Sequence, residues 1–240
     1  MKWNFTGKSM RGHSIIVDQE KKRPILRVVF ILCVVLLHIG VHHYVNAFNA
    51  QRPTSDLYQV STSVDELIPY LGWTWVIYYM GDVYILLWAP VVVWMLPQRK
   101  FVRAMSIFAL MIIVGGILQL LLPARSPWPD NGSEVQRWFH RSVIWDPFVC
   151  LPSMHVALAL LPACVSMTIF QSRWFRVATV ILVTAITLST LTLKEHYVLD
   201  AVSGILLGGL SFIAWKSDFR LLIRLDRKGA HNDHTERAPV

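Results

Sequence analysis

The chain has 240 residues, 54% of them hydrophobic, and a formal net charge of +8 at pH 7. Long, nearly uncharged apolar runs exclude a single water-soluble domain, in which such runs are absent. The positive charge does not predict nucleic-acid binding, because Lys and Arg stand at the ends of the apolar runs and no stacking or basic-groove pattern accompanies them.

The apolar runs predict an all-α, polytopic membrane protein. A helix of about 20 apolar residues crosses the hydrocarbon core of a bilayer, and in lipid the backbone must satisfy its own hydrogen bonds. We expect six transmembrane helices, at 27–46, 72–96, 104–122, 151–170, 174–193 and 197–215. They form one domain, 25–215, preceded by a basic N-terminal segment, 1–24, and followed by a basic tail, 216–240.

The distribution of Lys and Arg predicts the orientation of these spans. Basic residues concentrate in the N-terminal segment, the tail and the loops after the second and fourth spans, whereas the other loops are mixed or acidic. Positive loops stay in the cytoplasm. We therefore expect both termini in the cytoplasm and the opposite loops in the periplasm, the exterior or an organelle lumen.

The three cysteines, Cys33, Cys150 and Cys164, have no paired spacing. This pattern predicts neither a disulfide framework nor a metal motif. We expect no metal and no cofactor.

The fourth span opens with Pro152, Ser153 and, in its first turn, His155. A helix N-terminus offers unpaired N–H groups and a positive dipole end, which suit a phosphate. This segment is a candidate phosphate site.

The sixth span opens with His196, and Asp200 follows one helical turn later on the same face. Asp200 can accept a hydrogen bond from one ring nitrogen and thereby direct the other nitrogen at a substrate. The topology places His155 and His196 on the same side of the membrane, where the second histidine can donate a proton to a leaving group. The three residues therefore predict a phosphoryl-transfer site.

Asp82 is a carboxylate well inside the second predicted span. Ionisable groups within the membrane are costly, but we do not predict a catalytic role for Asp82. The sequence does not assign it a partner, and we expect it to pair with a neighbouring helix or to line a cavity.

The motifs resemble those of the type 2 phosphatidic acid phosphatase superfamily. Residues 152–155, Pro-Ser-Met-His, are similar to its second signature, usually Pro-Ser-Gly-His, and His196 with Asp200 is similar to the end of its third signature. The amino-acid sequences of both motifs, and of residues 68–79, are most similar to those of the aureobasidin-resistance and inositol phosphorylceramide synthase-like branch. The resemblance covers residues 67–210.

This resemblance implies a role for each residue. His196 would attack phosphorus and form a phosphohistidine, with Asp200 orienting it. His155 would protonate the leaving group and then activate the acceptor, and Ser153 would contribute to substrate binding. No metal is implied.

Two cations of the family pattern are missing. Leu118 stands where the first signature has lysine, and Thr190 stands where the third has arginine. We expect Arg125 and Lys194 to bind the phosphate instead, since developing charge on phosphoryl oxygens needs fixed cations. Arg137 and Arg141 in the following aromatic-rich loop are weaker candidates.

These observations predict a lipid phosphate phosphatase that acts on a phospholipid or a polyprenyl (di)phosphate in the membrane. Transfer to a lipid hydroxyl, as in an inositol phosphorylceramide synthase-type phosphotransferase, uses the same chemistry up to the phosphohistidine and is the alternative. A transporter, which needs polar residues along several spans, is a more distant alternative. If the missing cations left the site inactive, the protein would instead be a non-enzymatic scaffold.

Overall fold

A computed structural model describes residues 24–58, 60–127 and 148–217. In these ranges the chain is helical, with one isolated parallel β-bridge between Tyr58 and Ala124. Arg137 and Arg141, and almost all of the predicted N-terminal segment and tail, lie outside the described residues.

The first span is helix α1, Pro24–Asn49. A 3₁₀ turn, Thr54–Asp56, and a short helix α2, Ser63–Leu67, connect it to the second span. Asp65 closes the N-terminal turn of α2, because its carboxylate accepts hydrogen bonds from the N–H and the hydroxyl of Thr62, both at 2.7 Å.

The second span, Gly72–Trp94, is a composite helix. It consists of a 3₁₀ turn, α3, a π-helical turn and α4, at Gly72–Thr74, Trp75–Val83, Tyr84–Trp88 and Ala89–Trp94. The proline at residue 90 follows the π turn directly. Proline lacks the N–H that a regular helix needs, and π turns inside helices are frequent at functional sites.

The remaining helices are long and apolar: α5 is Gln98–Leu121, α6 is Met154–Ile169, α7 is Arg173–Thr192 and α8 is Val198–Lys216. Among the described residues, five helices are long and apolar enough to cross a membrane, while α6 has 16 residues and is shorter. The structure confirms an all-α membrane protein. The count of six spans and the side on which the termini lie remain predictions.

Large apolar side chains cover the outside of the bundle. Leu36, Leu87 and Leu206 are 65%, 65% and 59% exposed. Exposure of so much hydrocarbon to water is unfavourable, whereas its exposure to lipid is not. Inside, Phe101, Met111 and other apolar side chains of α5 pack against α6 and α8 to form the core.

Two glycines of α8 allow it to pack directly on α6. A Cβ at Gly204 would lie 2.5 Å from the carbonyl oxygen of Ser153, and one at Gly208 would lie 3.0 Å from that of Ala157. Because Gly204 lies one turn beyond Asp200, this contact brings the start of α6, with His155, beside the start of α8, with His196.

Candidate active site

The turn between α7 and α8 presents His196. Lys194 adopts the left-handed conformation, φ 59°, that commonly ends a helix. The carbonyl oxygen of Thr190 then accepts hydrogen bonds from the N–H groups of Glu195 and His196, at 3.0 and 3.2 Å. These backbone hydrogen bonds to Thr190 fix the backbone of His196 at the end of α7.

The structure brings His196 and Asp200 close together but shows no hydrogen bond between them, so the predicted hydrogen bond remains a prediction. Nδ1 of His196 lies 3.4 Å from Oδ2 of Asp200, and both residues are buried, with 8% and 0% exposure. The same Oδ2 accepts a hydrogen bond from the Tyr197 N–H at 2.9 Å, which holds the carboxylate in place. With Nδ1 facing the carboxylate, Nε2 is the nitrogen of His196 available to a substrate.

The N-terminus of α6 is joined to this pair through Ser153. The Ser153 N–H donates to the carbonyl of Asp200 at 3.0 Å, and the Ser153 hydroxyl accepts from the Val156 N–H at 3.4 Å, as an N-cap does. The side chain is fully buried. Its contacts are those of a helix cap, and its expected role in substrate binding remains a prediction.

Two buried amide side chains fix the segment that leads into α6. Asn49 donates to the carbonyl of Phe148 at 3.0 Å, and Gln119 donates to those of Val149 and Pro152 at 2.9 and 3.0 Å. These hydrogen bonds anchor the segment that precedes His155 to helices α1 and α5.

His155 contacts the second span through both ring nitrogens. Its Nε2 lies 2.6 Å from Oδ1 of Asp82, and its Nδ1 lies 3.2 Å from the hydroxyl of Tyr78. The Tyr78 ring also packs on the imidazole, with centroids 4.3 Å apart. The two ring nitrogens of His155 therefore face a carboxylate and a hydroxyl, and a hydroxyl can pair with Nδ1 whether or not that nitrogen carries a proton.

Asp82 is the site residue that sequence reasoning did not assign. It pairs with a neighbouring helix, one of the two expectations for it, and its partner is His155. Two signals pointed toward this role: a carboxylate within an apolar span, and a tyrosine four residues earlier on the same helical face. Spacing could not name the partner, because α6 is more than 70 residues away in sequence.

His196 lines a cavity of about 290 Å³ at this end of the bundle. The exposed surface of its walls is mainly apolar, and the polar residues among them include Asp65, Glu66, Tyr70 and Lys194. The cavity is large enough for several water molecules or for a hydroxyl-bearing group, since one water occupies about 30 Å³ of liquid.

Lys194 lines this cavity but is already bonded to protein. Its Nζ donates to the carbonyls of Asp65 and Ile68, at 2.8 and 2.7 Å. An ammonium has three N–H donors, so one remains for a phosphoryl oxygen. The role of Lys194 as a phosphate ligand stays a prediction.

Asp65 fastens this wall of the cavity to α8. Its Oδ1 accepts from the N–H of Val198 at 2.8 Å. Burial alone would raise the pKa of Asp65, but the hydrogen bonds from Val198 and Thr62, together with the charge of Lys194, lower it below its usual value. The carboxylate therefore stays ionised and stabilises the start of the helix that carries Asp200.

Arg125 is exposed and lies near the start of α8. Its charge acts on the Tyr197 hydroxyl, and the next residue, Ser126, donates to the carbonyls of Lys194 and Glu195 at 3.1 and 3.0 Å. Arg125 is thus held beside the turn that carries His196. Phosphate binding by Arg125 remains a prediction.

Cys150 lies close to the catalytic pair. Its Sγ and one donor atom each of His196 and Asp200 lie within 4.8 Å of one another, a group of ligands that could hold a metal ion such as zinc. Burial raises the pKa of the Cys150 thiol, and the charges of Asp200 and Glu195 raise it further. A protonated thiol is a weak metal ligand, and a metal here would occupy the contact through which Asp200 orients His196.

Two histidine–carboxylate pairs therefore meet at one end of the bundle. One histidine has a nitrogen directed away from its carboxylate toward the cavity, as a nucleophile requires. The other has a carboxylate on Nε2 that can stabilise a protonated ring, and its Nδ1 can exchange protons once it is within hydrogen-bond reach of a substrate. This arrangement can transfer a group with a poor leaving oxygen through a covalent intermediate.

Comparison with known proteins agrees with this chemistry. The family model of the PAP2 superfamily matches residues 65–214, more than half of the chain. The match includes both histidine motifs and Asp82. No curated protein and no solved structure is similar enough to match.

Proposed function

Because the chain belongs to the PAP2 superfamily, we propose that it is a lipid phosphate phosphatase that works through a phosphohistidine. The observation that carries the proposal is the meeting of the His196–Asp200 and His155–Asp82 pairs at the starts of two adjacent helices. Its substrate is a phospholipid or a polyprenyl (di)phosphate in the membrane.

In the first step, Nε2 of His196 attacks phosphorus and the bond from phosphorus to the ester oxygen breaks. Asp200 stabilises the ring as it becomes cationic. His155, with both nitrogens protonated, exchanges the Tyr78 hydroxyl at Nδ1 for the departing oxygen and gives it the proton on Nδ1, so that the oxygen leaves as an alcohol. Asp82 keeps its hydrogen bond to Nε2 and balances the charge on the ring.

In the second step, Nδ1 of His155 takes a proton from water, and the resulting hydroxide oxygen attacks the phosphohistidine. The bond from phosphorus to Nε2 breaks, inorganic phosphate leaves, and both histidines return to their starting states. Arg125, the remaining N–H of Lys194 and the N-terminus of α6 are the groups we assign to the phosphoryl oxygens. This chemistry needs no metal.

We assign the site to the extracytoplasmic face of the membrane. The short segments at the opposite end of the bundle carry the basic residues Arg99, Lys100, Arg103, Arg173 and Arg176. Such residues remain in the cytoplasm.

Transfer to a lipid hydroxyl is the second candidate function. The cavity beside His196 favours it, because it offers space for a hydroxyl-bearing lipid and has polar side chains, among them Asp65 and Glu66, that could bind the hydroxyl. Transport is less well supported, since Asp82, the residue that favoured it, is paired with His155 at the site.

The decisive experiment measures phosphate release by purified protein from a panel of lipid phosphates, with chelator present and with or without lipid hydroxyl acceptors. Free phosphate that disappears in His196→Ala supports the phosphatase. Product formed only with an added acceptor supports the phosphotransferase. No turnover in any condition, by protein that remains folded, contradicts both.

A further inference from the structure

A narrow cleft separates the first span from the second, on the membrane-facing side of the bundle. Its walls come from α1 between Ile31 and Ile39 and from the second span between Ile85 and Val93, and its floor comes from α5 and α6. Every residue that lines the cleft is apolar except His38. Its volume is about 80 Å³, smaller than that of the cavity beside His196, and it is narrow and partly open to the surroundings.

The irregular geometry of the second span shapes one wall. Ile85 and Leu86 lie in the π turn, and Ala89 and Pro90 follow it. Leu86 is 55% exposed, so its side chain lies at the open edge, whereas Ala89 is buried at 7% exposure and leaves room behind it. The cleft is therefore open along the bilayer and closed toward the core.

Two walls of the cleft lead to the candidate active site. Leu158 of α6 lies three residues after His155, and Ile85 of the second span lies three residues after Asp82. Residues at this spacing are about one helical turn apart, so this end of the cleft lies near the pair we assign to acid–base chemistry. From there the cleft extends toward Val93, at the end of the span opposite the active site.

We propose that this cleft holds one hydrocarbon chain of the lipid substrate while its phosphate lies between His155 and His196. The inference rests on the proposed function and adds a binding site for the lipid chain. Its walls contain no donor or acceptor for a headgroup beyond His38, so the occupant is a chain. Because bilayer hydrocarbon is as apolar as the cleft, the chain gains little affinity there. The cleft acts by positioning the ester at the two histidines.

Two adjacent leucines give a matched test. Leu86 lines the cleft and Leu87 does not, and both are largely exposed, at 55% and 65%. Leu86→Trp fills the cleft, whereas Leu87→Trp adds the same bulk to the lipid-facing surface. Each variant is assayed against a long-chain lipid phosphate and a water-soluble, short-chain phosphate with the same headgroup.

We expect Leu86→Trp to lower turnover of the long-chain substrate by about 10-fold or more and to leave the short-chain substrate unchanged. Leu87→Trp should leave both unchanged. Equal rates for Leu86→Trp and wild type on the long-chain substrate, or equal losses on both substrates, would overturn the proposal.

A second measurement does not depend on turnover. A lipid phosphate with a photoactivatable chain should label residues 31–39 and 85–93 more strongly than a neutral lipid with the same chain. Equal labelling would mean that bulk lipid fills the cleft and would overturn the inference. If the wild type labels selectively but hydrolyses nothing, the proposed function fails while the chain site stands.

Discussion

His196 and Asp200 lie four residues apart at the start of one helix, whereas His155 and Asp82 come from two helices that are 73 residues apart in sequence. The first pair is almost fully buried, with side-chain exposures of 9% and 0%, and the second is more open, at 22% and 37%. The geometry of the first pair is set by local backbone, and that of the second depends on how α3 packs against α6. The nucleophile is thus built into one turn, while the acid–base partner depends on the assembled bundle.

The largest effect should come from His196→Gln, which removes the nucleophile. We expect a loss of about 10⁴-fold or more for every substrate, because without the nucleophile the departing oxygen cannot be displaced, however good a leaving group it is. The loss of activity is measured as phosphate release from an alkyl ester and from an activated aryl ester. His43→Gln, at the end of the first span, is the control, and residual activity above a tenth of wild type would contradict the assignment.

Asp200→Asn should lower activity by about 10³- to 10⁴-fold, since the amide no longer stabilises the cationic ring. The amide oxygen can still accept from the Tyr197 N–H, so the helix start is preserved. Both esters should be affected alike. Thermal unfolding at the wild-type temperature, together with lost activity, separates this role from a structural one.

Asp82→Asn should lower hydrolysis of the alkyl ester by about 10- to 100-fold, because a charge-assisted hydrogen bond contributes about 1.5–3 kcal/mol. An activated aryl ester leaves without a proton, so its hydrolysis should fall much less. This difference distinguishes the two pairs. Asp82→Glu should restore part of the activity, and equal losses on the two esters would show that Asp82 acts only through folding.

Tyr78→Phe should have the smallest effect, about 2- to 10-fold, since a neutral hydrogen bond contributes about 0.5–1.5 kcal/mol. The ring contact with His155 is retained. We expect kcat for the alkyl ester to fall with little change in KM. A change in KM alone would place Tyr78 in substrate binding instead.

The difference between the pairs also explains what could be predicted from the sequence. Long apolar runs fixed the helices because lipid allows few alternatives, and His196 with Asp200 was visible because residues four apart share a helix face. The partner of His155 was not visible, because it depends on the packing of α3 against α6. The helix α6 is shorter than the predicted span 151–170, because its N-cap Ser153 comes two residues after that span begins and the helix ends at Ile169.

The basic residues show a second limit on what the sequence can predict. Lys194 was expected at the phosphate from its position two residues before His196, and the structure places it on the same cavity but bonded to two carbonyls. Whether a lysine in a loop meets substrate or backbone depends on a neighbouring segment, here 65–68. Spacing along the chain carries no information about that segment.

Both edges of the segment 128–147 are anchored to the bundle. On one side the Ser126 hydroxyl bonds to the α7–α8 turn, and on the other Phe148 bonds to the amide side chains of Asn46 and Asn49. The chain therefore leaves the bundle beside the turn that carries His196 and re-enters it beside α1, at two points that are each held by side-chain hydrogen bonds. Fixed entry and exit points keep the backbone on both sides of the segment in register with the helices that carry the two histidines.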